Sequence, residues 1–360
     1  MLEINKTEQS ETGESCPSFC LPNFPVTRVS VRLTAATAIP LPHFPGSVFR
    51  GGFGMALRRA CCTMNRQDCK DCMLRTSCVY ASVFETRGEQ LSGDSYQLSD
   101  APRPFLIEPP FPVYEPLRAG DSFECGLVLM GTAVEQLPYF VYAFSKLGQA
   151  GIGPDRGKFR IAEVTAETEQ GEIQIFDGAK DCFVNPVPVR QMEDFFAPDP
   201  RQDSVKQPLI PSQYGNENLT ALPLKRGLEQ DSVTLTFLTP TRIKDQDRLT
   251  KFLRFELLMR NLLRRISILT DLCTGNRFQA DFKELIRKAG EIQTVEPHLH
   301  WYDWKRYSAR QHDSMKLGGF LGTVTYHGDL SPFMPFLRIG EYLHIGKACT
   351  FGLGKYNVKC

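Results

Sequence analysis

The run Gly340-Glu-Tyr-Leu-His-Ile-Gly-Lys-Ala-Cys-Thr-Phe-Gly-Leu-Gly-Lys-Tyr356 limits what the C-terminal part of this chain can become. Gly346, Gly352 and Gly354 give the backbone access to positive φ and to close approach, and an extended tail, Tyr356-Asn-Val-Lys, comes at once after them. His344, Lys347 and Lys355 are interleaved with these glycines, as are Phe351 and Tyr356. Amide donors and positive charge in one loop suit an anion such as a phosphate backbone. The run is not a nucleotide-binding P-loop, because Ala348 follows Gly346-Lys347 where a hydroxyl would have to meet magnesium. Nor is it the dinucleotide fingerprint, since the tail after Tyr356 is extended and not a helix. ATP and NAD are disfavoured. Two readings remain: a loop shaped for a polynucleotide backbone, or a plain turn between two C-terminal strands.

A polynucleotide ligand has to be reconciled with a net charge of only +1, so any binding must come from local basic patches and not from a global field. The 360 residues, 42% of them hydrophobic, suffice for two domains. The polar, acidic N-terminus has no signal-peptide core, and no stretch of about 18 consecutive apolar residues occurs. The expectation is a soluble cytoplasmic protein with no membrane partner. In that compartment 12 cysteines favour metal ligation or buried thiols over a disulfide framework.

Residues 1–25 read as disordered. From Thr27 to Ala35, Val29, Val31 and Leu33 alternate with Arg28, Ser30 and Arg32, the pattern of a half-buried strand. Pro40, Pro42 and Pro45 then force a non-helical connection that holds His43. Phe49, Phe53, Leu57 and Ala60 fall at helical spacing, with Ser47 as N-cap, although Gly51, Gly52 and Gly54 weaken the first turns. Something close-packed must need those glycines, either RNA backbone or the sheet beneath.

Cys61, Cys69, Cys72 and Cys78 come next in the spacing C-x7-C-x2-C-x5-C, with Cys62 as an alternative to Cys61. A central CxxC seeds a tetrahedral thiolate site, so these four are candidate ligands of a structural zinc; an iron–sulfur cluster is the alternative. Four thiolates leave no open coordination position, and no catalytic role falls to this metal.

A strand over Ser122 to Leu129, a helix over Val134 to Leu147 and a second glycine-rich loop carrying Arg156 and Lys158 lead into a strand from Phe159 to Val164. Residues 191–230, broken by prolines, read as a linker between domains at 26–190 and 231–360. The second domain opens with Val233, Leu235 and Phe237 in alternation. A helix from about Gln246 to Leu272 should bury Phe252, Phe255, Met259, Leu262 and Ile266, with Lys251, Arg254 and Arg265 together beside that face. Short extended segments are expected at Glu296 to Tyr302, Lys305 to Arg310 and Gly318 to Tyr326. Trp301, Trp304, Arg306, Tyr307 and Arg310 lie within ten residues, and aromatic and guanidinium groups on a sheet suit single-stranded RNA.

The strand and Pro-rich loop before PGSVFRGGFGMALRR, the cysteine knuckle ending at Tyr80 and Phe84-Glu85, LPYFVYAFSKLG with its GIG loop, RYSARQ, GGFLG, PFLRIGEYLHIGK and TFGLGKY together resemble the CRISPR-associated repeat-processing endoribonucleases of the RAMP superfamily. The likeness runs from about Val26 to the end, and Lys305 to Tyr356 is its most specific part. It implies an α+β fold of two tandem ferredoxin-like, RRM-related domains with the cysteine knuckle inserted in the first. It also implies CRISPR repeat or guide RNA as ligand, other subunits of a CRISPR effector complex as partners, and a prokaryotic cytoplasm. The implied reaction is metal-independent cleavage leaving a 2′,3′-cyclic phosphate and a 5′-hydroxyl.

That reaction needs a base for the 2′-hydroxyl, an acid for the leaving 5′-oxygen and positive charge at the phosphorane. Histidine serves either proton role near neutrality, and the chain has six: His43, His298, His300, His312, His327 and His344. Where the family has a catalytic histidine, it lies between the first strand and first helix or early in that helix, which selects His43 as base. His344 is the candidate acid, with Lys347 and Arg50 as charge stabilisers. Gly346, Lys347, Gly352, Gly354, Lys355, Arg58, Arg156, Lys158, Arg306 and Arg310 are the candidate RNA contacts. Two other functions stand beside this one: a non-catalytic subunit that binds the guide-RNA handle, and a cysteine-ligated redox protein.

Overall fold

The computed structural model describes residues 19–20, 23–64, 68–86, 102–195, 232–308 and 313–360. Most of the expected disordered N-terminus, nearly all of the linker, His312 and Arg310 therefore lie outside the described residues.

In the first half, β1 (Pro25–Ala35) is flanked by β3 (Ser122–Met130) and β4 (Phe159–Thr168), both antiparallel to it; β2 (Phe105–Glu108) pairs with β3, and β5 (Gly171–Asp177) extends the sheet beyond β4. Helices α1 (Gly46–Cys61), α2 (Val79–Phe84) and α3 (Leu137–Ala150) supply Phe49, Phe53, Phe84, Phe140 and Phe144 to one core with Val29, Val31, Leu33, Phe105 and Leu127. The second half repeats the scheme with β6 (Ser232–Thr241), α4 (Phe255–Thr274), α5 (Phe282–Ala289), β7 (Gln293–Ser308), β8 (Asp313–His327), α6 (Met334–Leu343) and β9 (Tyr356–Lys359). Its sheet runs β7-β8-β6-β9 and the first runs β2-β3-β1-β4-β5, so in both halves the opening strand lies inside the sheet in the same four-strand order, with β5 added at one edge of the first. A mixed fold with antiparallel sheets results.

The halves share apolar surface. Alternation in β1 to β3 sends Val29 and Leu127 toward α1 and α3, while Val26, Leu106, Val128 and Met130 join the core of the second half. Phe24 belongs to that core at 2% exposure, so the chain is packed just short of residue 25, and Phe19–Cys20 pair with Gln279–Ala280. At the other boundary Met192 and Phe195 are also buried, which shortens the expected linker.

Several sequence expectations need correction. Helix α4 begins at Phe255, not near Gln246, because Ile243–Asp245 and Arg248–Thr250 pair as a small hairpin; Phe252 is exposed. Arg265 is therefore apart from Lys251 and Arg254, and its Nε donates to the Leu343 carbonyl. The helix ends at Gly275, whose φ of 71° is the left-handed cap that glycine adopts without strain. Ser47 does not cap α1. Two of the three α1 glycines serve other helices: a Cβ at Gly52 would stand 2.7 Å from Leu147 of α3, and one at Gly54 would enter the Phe84 ring of α2, whereas Gly51 is exposed with nothing within 4 Å of a Cβ. The segments Glu296 to Tyr302 and Lys305 to Arg310 are not separate strands. Residues 293–308 form the single strand β7, which makes a long hairpin with β8. Only the part of β8 from Phe320 onward pairs with β6, so beyond Trp301 and Phe320 the hairpin continues as a two-stranded ribbon.

Candidate functional site

The prolines around His43 hold it in a loop ahead of α1, and its carbonyl accepts from Val113 N–H at 3.1 Å. The ring is half-buried among aromatics from both halves. Phe111 and Tyr114 meet it edge-on with centroids 5.6 and 5.2 Å away, and its Nδ1 is hydrogen-bonded to the Tyr302 hydroxyl on β7. Tyr302 stacks on Trp304, and Trp304 meets Phe44. Burial, with a contribution from Tyr114, raises the pKa of Tyr302 and keeps the phenol protonated. Tyr114 is 81% exposed, so this side of the histidine opens to solvent.

His344 contradicts the assignment as general acid. It ends α6 at a φ of 57°, is fully buried, and sets Nε2 2.8 Å from Glu108 Oε1 and Nδ1 3.1 Å from the Leu353 carbonyl. A ring so enclosed meets no leaving oxygen. Burial pulls its pKa below the ordinary histidine value, against the upward pull of Glu108. Glu108 also receives Lys355 Nζ at 2.8 Å and faces Arg28 at 3.5 Å. Burial pushes its carboxyl up, but Arg28, His344 and Lys355 outweigh this and hold it well below the usual carboxylate range. Arg28 and Glu108 come from the first half and the other two from the second, so this cluster is a charged seam and Lys355 is a structural cation.

The glycines of the C-terminal run mostly serve packing too. Gly352 and Gly354 are buried at φ 83° and 77°, and a Cβ there would lie 2.4 Å from Pro109 Cδ and 1.9 Å from the Ile345 carbonyl oxygen. Neither offers its backbone to solvent, which corrects their placement among RNA contacts. Gly346 is half-buried against the Arg242 carbonyl at φ 87°, and Lys347 beside it is exposed. Lys347 N–H donates to Arg242 O (2.9 Å), Arg242 Nη1 donates to Gly318 O (3.0 Å), and Gly318 and Gly319 pair with Asp303 and Tyr302. A short chain of contacts thus links the one exposed lysine of the run to the histidine wall.

The other basic candidates are dispersed. The Arg50 guanidinium lies 4.2 Å from the Phe84 ring centroid and 5.2 Å from that of Phe351, and Arg58 lies 5.8 Å over Tyr80. Arg156 and Lys158 are exposed on the loop before β4. Arg306 is in the ribbon. Cys61, Cys69 and Cys78 pack against the first-half core, and burial together with Cys78 and Cys62 pushes the Cys61 thiol up to about 11. Among the described residues no group of three or more His, Cys, Asp or Glu side chains converges to hold a metal ion. Sequence reasoning passed over Glu108, Tyr114, Arg242 and Tyr302. Tyr302 carried one signal, its place on the aromatic strand with Trp301 and Trp304.

Comparison with known proteins bears on both halves. Residues 235–356 match the family model of CRISPR-associated endoribonuclease Cas6, and residues 24–188 match a family described as an N-terminal domain, AF_1859_N. An uncharacterized protein of Archaeoglobus fulgidus is 26% identical over 192 residues, covering 50% of this chain and 64% of that protein. Among solved structures, Thermus thermophilus Cas6 superposes with a TM-score of 0.50 at 13% identity, over 94% of this chain and 99% of that one. A Cas6 product complex gives 0.51 at 14% identity over 93% and 99%. A partial Cas6-RT-Cas1–Cas2 complex gives 0.51 at 15%, over 94% of this chain but only 47% of that chain. The chain thus spans about half the length of that larger protein and under two thirds of the Archaeoglobus relative. At these identities the structural likeness is one of fold.

Proposed function

We propose that the chain is a Cas6-like CRISPR-associated endoribonuclease, as the match of residues 235–356 to the Cas6 family model supports, and that it cuts CRISPR precursor RNA within repeats by attack of a ribose 2′-hydroxyl on the adjacent phosphorus. The observation that carries this reading is His43, half-buried with an open side, in the loop between first strand and first helix and against the Cas6-matching half. His43 Nε2 takes the 2′-hydroxyl proton, the 2′-oxygen bonds phosphorus, the 5′-oxygen leaves and gains a proton from water, and the hydroxide so formed takes the proton back from His43. The products are a 2′,3′-cyclic phosphate and a 5′-hydroxyl, and no metal ion takes part. Lys347, exposed and linked through Arg242 to the β7–β8 pair that carries Tyr302, supplies positive charge to the phosphorane.

The repeated strand order supports reading the halves as two tandem ferredoxin-like, RRM-related domains. The CxxC-centred spacing supports a structural zinc on Cys61, Cys69, Cys72 and Cys78, although the described thiols do not converge. Elemental analysis finding one zinc per chain, lost in Cys69→Ser, supports it; a metal-free, fully folded protein refutes it. Other CRISPR subunits as partners, in a prokaryotic cytoplasm, complete the proposal. Among the described residues no helix is long and apolar enough to cross a membrane.

The test is a labelled repeat RNA incubated with protein in EDTA, beside the same RNA carrying 2′-deoxyribose at the cut position. Cleavage of the first RNA alone, with a cyclic phosphate end, supports the reaction. Tight binding with no cleavage refutes it and leaves a handle-binding subunit.

A further inference from the structure

The hydroxyl on His43 comes from the other half of the molecule. Tyr302 stands at the last step before the β7–β8 hairpin leaves the sheet: Trp301 pairs with Phe320, which still pairs with Thr241 of β6, whereas Gly319 opposite Tyr302 has no paired residue on β6. Its ring is fixed by the stack on Trp304, 5.7 Å between centroids, and by the edge contact with Phe111 at 6.0 Å. Its oxygen therefore sits at a defined place against Nδ1. We infer that Tyr302 is a positioning residue for His43, reaching across the interface to fix the ring's tautomer and aim Nε2 at the RNA. This rests on the reading of His43 as the base.

The chemistry is set by the donors and acceptors of the two groups. A neutral imidazole has one N–H and one bare lone pair, and a base needs the lone pair on the nitrogen that faces substrate. Nδ1 faces Tyr302, so the productive form has Nδ1–H donating to the phenol oxygen and leaves Nε2 bare. Once Nε2 has taken a proton, Nδ1–H still donates to the same oxygen, so one contact serves both states of the ring. Carboxylates and carbonyls hold histidines in other sites by the same logic. Here a neutral phenol does so, protonated throughout the neutral range and adding no charge. The second consequence is that the site is complete only when β7 is docked against the His43 loop, and neither half alone holds the base in place.

Tyr302→Phe keeps the ring, the stack and the edge contact and removes only the oxygen. Losing one neutral hydrogen bond should slow single-turnover cleavage of repeat RNA roughly two- to tenfold, with RNA affinity unchanged. A purely structural role would not alter the histidine tautomer, which ¹⁵N NMR of histidine-labelled protein reads directly. The His43 signals, assigned by their loss in His43→Ala, should move from the Nδ1–H form in the parent protein toward the Nε2–H form in Tyr302→Phe. An unchanged tautomer, or a rate loss matched by an equal loss of RNA binding, overturns the inference. His43→Ala separates the two levels. If it cleaves at the parent rate, the base assignment has failed; if it is inactive while Tyr302→Phe matches the parent protein in rate and tautomer, only the positioning role has failed.

Discussion

Glu108→Gln should loosen the union of the two halves measurably. The carboxylate is buried between Lys355 and His344, each at 2.8 Å, with Arg28 at 3.5 Å, and glutamine keeps the shape while removing the charge that faces Lys355 and His344, although Arg28 keeps Glu167 at 3.5 Å. Breaking a buried ion pair from one side costs about 3–5 kcal/mol, mostly through the charge left uncompensated. Arg28 and Lys355 retain 20% and 27% side-chain exposure and can rehydrate in part, which places the expected loss near the lower end, about 3 kcal/mol. For units of this size that corresponds to a fall in melting temperature of roughly 6–12 °C. The pH dependence has a definite sign. The Glu108 carboxyl lies below its unfolded value, so its stabilising contribution is complete above an unfolded pKa of about 4.3 and drains away as pH falls below it. Thermal melts of parent and variant followed by circular dichroism should therefore differ by a constant gap from pH 7 to about 5 that narrows progressively below about 4 and closes only once the folded carboxyl itself protonates, well below the usual carboxylate range. A gap under about 1 kcal/mol at pH 7, or one that persists unchanged into acid, refutes the assignment of Glu108 as the anchor of the seam.

Other perturbations separate chemistry from scaffold. His43→Ala should slow metal-free cleavage by about 10²–10⁴ while leaving repeat-RNA binding intact, and equal loss of both, seen by filter binding, would point to a packing role. His344→Ala should lower the melting temperature yet retain cleavage by the molecules that remain folded; a folded, RNA-binding but inactive variant would restore His344 to the chemistry. Gly354→Ala places a Cβ 1.9 Å from the Ile345 carbonyl at φ 77°, so it should destabilise by more than about 1 kcal/mol, and an unchanged denaturant midpoint would contradict this. Tyr114→Ala should weaken binding of single-stranded repeat RNA by about 1–3 kcal/mol if a base stacks on its open face, as titration calorimetry would show.

Much of the fold was legible because it rests on local periodicity. Val29, Val31 and Leu33 announce β1, and Val233, Leu235 and Phe237 announce β6, by simple alternation. Helix starts were less legible. The three-and-four spacing of Phe255, Met259 and Leu262 extends back to Phe252 in sequence, but the hairpin at 243–250 takes that stretch out of the helix. The glycine-rich run misled for a physical reason: positive φ and close approach are needed equally for an anion and for a neighbouring backbone, and Gly352 and Gly354 serve the latter. His344 and Lys355 look like site residues because nothing near them in sequence shows the partner they share, Glu108, 236 positions before His344. Tyr302 was hidden likewise, since its partner lies 259 residues away and no spacing within one element shows it.

The two-stranded ribbon sets the mechanics of the site. A pair of strands flanked by a third is stiff, and a pair without one bends where the third stops; Tyr302 stands at that fulcrum, just past Trp301 and Phe320. Any displacement of the outer arm about that point is delivered at the Tyr302 hydroxyl, which is hydrogen-bonded to His43 Nδ1. The angle of the arm and the orientation of the His43 ring are therefore mechanically coupled to one another.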